Sequence, residues 1–171
     1  MADISIEFTT PRGKILPIFS WLIRVVQGTP YSHVLLRWTN STGVDIVYEA
    51  SGQMLKFLGP EATKNRYTIH KRYKTELTRE QYKELIKLCM TNAGLDYGVK
   101  QILGICLVYL FKLKKNPFAD GRKSQVCSEI VGRFLEQVLG WQLDLDLDIA
   151  GPKQIDDYLS SKLKTTGELL V

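Results

Sequence analysis

The hydrophobic period of this chain changes once, and that change limits the folds open to it. Up to about Tyr73, the runs "ISIEFTT", "SHVLLRWT", "VDIVYEAS" and "RYTIHKRY" alternate in the two-residue period of strands. Past Leu77 the apolar residues recur every three or four positions, the period of helices. One helical run, "KILPIFSWLIRVV", interrupts the strand half. Its apolar residues recur at helical spacing, Ile18, Leu22 and Val25 among them, and Pro17 stands early enough to be tolerated. Strands first and helices after predict an α+β domain, a small antiparallel sheet packed against helices, rather than alternating βαβ units.

The helical half carries explicit start and stop signals. In "LTREQYKELIKLCM", Thr78 and Gln81 form a capping box, and Leu77 and Tyr82 stand at the staple positions. Tyr82, Leu85, Ile86 and Cys89 make its apolar face, and Gly94 is placed to end it. Further helices are predicted from about Val99 to Leu113, from about Cys127 to Leu139 with Gly140 as the stop, and over "GPKQIDDYL" with Pro152 in the first turn. A chain of 171 residues fits one domain, 1–171, and is long enough to bury a core.

Composition narrows function less than fold. A net charge of +5 and a pI near 9.1 imply attraction to nucleic acid, anionic lipid or anionic polymers without selecting among them. The basic residues form small clusters at Lys71-Arg72, Lys112 to Lys115 and Arg122-Lys123, with no interleaved aromatics of a nucleic-acid motif. Cys89, Cys106 and Cys127 make no CxxC pair, and with two histidines the sequence implies neither a zinc site nor a cofactor. A reduced, cytoplasmic setting is expected, since "MADISIEFTT" has no basic region followed by an apolar run. "ILGICLVYLF" is too short to cross a bilayer and reads as a core helix; followed by "KLKK", contact with a membrane surface is the alternative.

The hairpin "PYSHVLLRWTNSTGVDIVYEAS" raises the first chemical question. Val34, Leu36 and Trp38 share one face with Val44, Ile46 and Tyr48 if paired residue numbers sum to 82. That register sets Arg37 opposite Asp45, Leu35 opposite Val47 and His33 opposite Glu49, with directly opposed Cβ atoms about 5 Å apart. A carboxylate there fixes an imidazole's tautomer and raises its basicity. By itself the pairing also reads as an ion pair without chemistry; catalysis needs a nucleophile.

"SQVCSEIVGRFLEQVLG" offers one. Cys127, Ile130, Val131, Phe134, Leu135 and Val138 fall on one helix face, and Cys127 opens it. Free N–H groups at a helix start favour a thiolate and can hold an oxyanion. Buried packing is the alternative, as expected for Cys89 and Cys106 inside their helices.

"TPYSHVLL", "VYEAS" and "QVCSEIVGRFLE", in that order, resemble the permuted papain-like (NlpC-type) cysteine hydrolases, the group that includes the YiiX-like proteins. In that group the histidine strand comes first and the cysteine helix last, as here. "IEFTT", the "SWLIRVVQGTPYSHV" lead-in and "GLDYG" extend the likeness over Ile4 to about Leu139. The resemblance implies a circularly permuted papain-like fold, with Cys127 as nucleophile, His33 as base and Glu49 as the polar third member. It places Tyr97 near the site, although Gly98 follows where the family often has aspartate. Tyr31 and Ser32 flank the base strand as pocket residues, and Ser128 offers a backbone N–H to an oxyanion hole. The tail from Trp141, with "LDLDLDIAG", carries no functional assignment.

Three functions remain open at this stage. A cysteine amidase or peptidase is the leading one, with amides of bacterial wall peptides as the substrate implied by the family. Without a visible signal, such a role requires release by lysis, a holin-like partner, a non-classical export route or a place in a virion. An acyltransferase or thioesterase on a lipid or acyl substrate is the nearest alternative. A non-catalytic binding module on the same scaffold is the third, with oligomeric state left undetermined.

Overall fold

The computed structural model describes residues 2–12, 17–121 and 123–166. Lys14 to Leu16 of the expected first helix, and Arg122 of one basic cluster, lie outside the described residues. The order is β1 (Ala2–Pro11), α1 (Pro17–Gln27), β2 (His33–Thr39), β3 (Asp45–Ser51), β4 (Met54–Leu58), α2 (Pro60–Thr63) and β5 (Tyr67–Leu77). Then come α3 (Arg79–Asn92), β6 (Asp96–Tyr97), α4 (Val99–Phe111), β7 (Ser124–Gln125), α5 (Cys127–Arg133) and α6 (Pro152–Thr166). A π-helical stretch, Phe134–Val138, continues α5. The fold is α+β, as the single change of period requires.

The sheet is larger than expected and not wholly antiparallel. Its order is β5-β1-β2-β3-β4-β6-β7, with β6 and β7 paired in parallel. β4 has five residues and β6 and β7 two each, too few to show a period, so the sequence gives no sign of them. They matter because β7 leads directly into α5 and thereby aims the Cys127 helix at the sheet.

One face of the sheet holds the main core. Ile4, Ile6 and Phe8 of β1, Val34, Leu36 and Trp38 of β2, and Tyr48 and Ala50 of β3 pack against Ile130, Val131, Phe134 and Leu135. Leu85 and Cys89 of α3 and Ile155 and Leu159 of α6 close it. The capping box forms as predicted: the Thr78 hydroxyl accepts from the Gln81 N–H (3.2 Å), and the Gln81 side chain accepts from the Thr78 N–H (2.9 Å). Gly94 and Gly140, at φ 84° and 70°, take the left-handed conformation that ends a helix. In the unassigned tail, Leu143, Leu145 and Leu147 drop onto this core. Leu147 fits because residue 132 is glycine; a Cβ there would stand 2.3 Å from Leu147 Cδ2.

The opposite face is charged as well as buried. Glu7 is fully buried and accepts from Arg37 Nε at 3.1 Å to both oxygens, and from Arg72 Nε at 2.8 Å. On the core face, Lys71 donates to Asp156 of α6 at 2.6 Å, so both members of the Lys71-Arg72 cluster are paired with carboxylates.

The expected hairpin register is corrected by two residues. Leu36 faces Tyr48, Arg37 faces Val47 and Thr39 faces Asp45, so paired numbers sum to 84 rather than 82. Two is the strand period, so every strand residue keeps its expected face while its partner changes. The turn is the cause. The Asn40 side-chain oxygen Oδ1 accepts from Thr42 N–H (3.0 Å), Thr42 Oγ1 (2.7 Å) and Val44 N–H (2.9 Å), holding 40–44 as a longer loop. Val44 is therefore exposed rather than inward. Arg37 pairs with Glu7, not Asp45, and Asp45 accepts from Thr39 Oγ1 instead (2.7 Å).

The buried side of α1 is set by its contact with α4. Phe19, Leu22 and Ile23 pack against α4, whereas Ile18 and Val25 face outward. A helix in which Ile, Phe, Trp, Leu and Val occupy most of the circumference has no single apolar side, so tertiary packing chose the buried one.

Candidate active site

His33 is the first residue of β2, held where the strand starts by the Ser32 N–H donating to Thr9 C=O (3.1 Å). Glu49 is diagonal to it in the observed register, a separation that two long side chains span. Their contact is direct: His33 Nε2 lies 3.0 Å from Glu49 Oε2, and both residues are buried.

Glu49 is an anion built into the sheet. Its Oε2 accepts from His33 Nε2 and from the Tyr67 hydroxyl; its Oε1 accepts from Ser51 Oγ (2.5 Å) and Arg66 Nη2 (3.4 Å). Burial alone pushes this carboxyl up. Donation from His33, the His33 charge, and donation from Ser51 and Tyr67 outweigh it and hold the group down at about 2. An ionised carboxylate only accepts, so Nε2 carries the proton and Nδ1 is left for the other neighbour. The Tyr67 ring lies alongside the imidazole, 6.0 Å between centroids at 25°, which fixes the plane of the base.

That other neighbour is Cys127. It opens α5 after the extended residue Val126, whose N–H is capped by the Glu129 carboxylate at 2.8 Å. The sequence puts Cys127 there by starting the apolar period of α5 with it; Ile130, Val131, Phe134, Leu135 and Val138 are buried on that stripe. Burial pulls the His33 pKa down, but the charge on Cys127 and its hydrogen bond to the ring, followed by the bond to and charge of Glu49, push it up to about 10. The ring thus bridges a sulfur on the helix layer and a carboxylate on the sheet. A cysteine and an imidazole in this setting can attack an acyl carbon and then protonate the leaving group.

Tyr97, on β6, is a further neighbour. Its phenol is pushed well above the ordinary range by burial and by the charges of Cys127 and Glu49, so it stays protonated as a donor into the site. A cavity of about 480 Å³ touches both His33 and Tyr97. Phe19 and Ile23 of α1 with Val99 and Ile102 of α4 form its apolar wall, and Arg12, Lys56 and Arg66 lie on its border. Among the described residues, no group of three His, Cys, Asp or Glu side chains is placed to hold a metal ion.

Not every residue expected at the pocket is there. Ser32 lines the cavity, its Oγ 2.6 Å from Ser20 Oγ. Tyr31 turns the other way, packing on Phe8 and donating to Asp156 (2.5 Å), so it belongs to the sheet–α6 contact. A strand-like alternation sends neighbours to opposite sides, which is why Ser32 and Tyr31 part company. The Ser128 hydroxyl is spent on Ala150 C=O (2.6 Å), leaving that residue only its backbone N–H to offer. Sequence reasoning missed Ser51, Arg66 and Tyr67. Ser51 sits two residues beyond Glu49 on the same strand face, a signal that period-two reading contains; nothing near Arg66 or Tyr67 marks them. Cys89 and Cys106 are buried in helix contacts, and burial pushes the Cys89 thiol up to about 12.

No protein-family model matches the chain, and no curated protein is significantly similar to it.

Proposed function

We propose that the protein is a cysteine hydrolase of the permuted papain-like type, acting on an amide through Cys127, His33 and Glu49. The observation that supports this most is the buried His33 ring, held by Glu49 through Nε2 at 3.0 Å, with Cys127 at the start of α5 near enough to raise its pKa. Cys127 Sγ adds to the carbonyl carbon, and the oxyanion is met by N–H groups of the first turn of α5, Ser128 among them. The imidazolium gives its proton to the departing amine as the C–N bond breaks, leaving a thioester on Cys127. Water then attacks the thioester while His33 takes its proton, and the thiolate leaves. Glu49 holds the ring throughout, with Tyr67 and Ser51 as its positioning partners. The apolar wall of Phe19, Ile23, Val99 and Ile102 favours a second reading, acyl transfer or thioester cleavage on an apolar acyl group, with the same nucleophile and base.

The test is the rate of Cys127 alkylation against pH in a Cys89→Ser/Cys106→Ser background, with and without His33→Ala. Reaction well below the free-thiol pKa of about 8.5, lost in His33→Ala, is the expected result. A slow thiol in both proteins refutes catalysis and leaves a binding module. Reactive protein offered peptide amides and acyl thioesters then separates the two chemistries.

A further inference from the structure

The faces of α1 and α4 that the core does not use are apolar. On α1, Ile18, Trp21 and Val25 are 73%, 55% and 58% exposed. On α4, Leu103, Leu110 and Phe111 are 41%, 58% and 68% exposed. The two helices touch each other through Phe19, Leu22 and Ile23 on one side and Ile102, Ile105 and Cys106 on the other.

The two exposed rows lie on one flank of this pair. Both helices start at the cavity, through Phe19 and Val99. Both finish near the segment before and at the start of α6. Gln27 Oε1 accepts from the Lys153 N–H (3.0 Å), and Val108 and Tyr109 border Ile149 and Gln154. The helices therefore run parallel. At 100° per residue, the exposed row stands about 120° from the seam in one sense on α1 and about 130° in the opposite sense on α4. For parallel neighbours, opposite senses mean the same flank.

The charge around this flank has one sign. Residues 8–44 and 97–119 contain no Asp or Glu, while Arg24, Lys100, Lys112, Lys114 and Lys115 accompany the two helices. The acids that approach α4 do so away from the exposed row: Asp120 meets Gln101 (2.8 Å), the Asp157 charge acts on Tyr109, and Asp144 and Asp146 share a cavity with Val108, Tyr109 and Lys112. Two copies joined through this face would set like charges together, which disfavours a self-dimer. Exposed aliphatic and aromatic side chains bordered by cations match the boundary between acyl chains and anionic headgroups. No helix among the described residues is long and apolar enough to cross a membrane, so contact is confined to the surface. We propose that the α1–α4 flank docks the protein on an anionic lipid bilayer, seating Trp21 and Phe111 below the headgroups.

The experiment is vesicle flotation of the full chain, with phosphatidylcholine alone and with about 30 mol % phosphatidylglycerol. Co-flotation with the anionic vesicles, at least about tenfold weaker on neutral ones and reduced by salt, is expected. Trp38 is buried and Trp141 is partly buried against the core, so a blue shift in emission should disappear in Trp21→Phe. Trp21→Ser/Phe111→Ser removes exposed side chains only, so it should keep the parent's thermal unfolding and lose flotation. No flotation of the parent, or equal flotation of this folded variant, overturns the proposal. A solution dimer that the same variant splits also overturns it and assigns the flank to a second copy. None of these outcomes depends on whether Cys127 is catalytic.

Discussion

Replacing Cys127 with serine removes the largest influence that raises His33, and a chain with only two histidines makes the consequence directly measurable. In the parent, His33 is held up to about 10 from an ordinary 6.5, against burial that works the other way. A charge pair in contact, in an effective dielectric near 20, is worth up to about 4 kcal/mol, or about 3 pKa units at 1.36 kcal/mol each. Cys127→Ser should therefore lower the His33 pKa, by no more than that. Glu49→Gln should lower it by less, because the carboxylate contributes less to the shift than the sulfur does. The assay is the 13Cε1 shift of labelled histidine against pH, with His70→Gln assigning the second resonance. The ion-pair reasoning fails if His33 in the parent is already neutral at about pH 8. It also fails if Cys127→Ser moves the titration by less than about half a unit.

Three further outcomes follow from the same structure. Glu129 is buried and pushed up to about 7, chiefly by burial, so ionising it costs stability as pH rises from 4.5 through 7. Glu129→Gln keeps an acceptor for the Val126 N–H; in urea unfolding it should match the parent near pH 4.5 and exceed it by about 1–3 kcal/mol near pH 8.5. Tyr67→Phe deletes a donor to the buried Glu49 carboxylate and should cost about 1.5–3 kcal/mol by the same measurement. Gly132→Ala forces a Cβ to within 2.3 Å of Leu147 and should lower stability by about 1–3 kcal/mol in thermal melts, with Leu147→Ala partly rescuing it. The pH window of the site itself has two edges. Glu49, held down at about 2, contributes stability above pH 4.5 that is lost as pH falls toward 2. His33, held up at about 10, contributes below pH 6.5 what is lost as pH rises through 10.

The sequence determined whatever a local repeat could encode. The change of period gave α+β, and Thr78 with Gln81 gave the start of α3. Strand alternation put His33 and Glu49 on one face, and the stripe from Ile130 to Val138 put Cys127 at a helix start. Faces survive a two-residue slip because the strand period is two, so the His33–Glu49 meeting was legible even though the pairing was not. Partners were decided in three dimensions. Asn40 gathered the loop and moved the register, Glu7 took Arg37 from Asp45, and Asp156, 125 residues along the chain, drew Tyr31 out of the pocket. Short strands such as β6 and β7 carry no period, yet β7 delivers Cys127 to the sheet. The rotation of α1 was settled likewise: its apolar residues ring the helix, and only contact with α4 decided that Ile23 is covered while Trp21 is not. Periodicity encodes which side of an element is apolar. Only packing supplies the partner, because a partner's identity depends on residues distant in sequence.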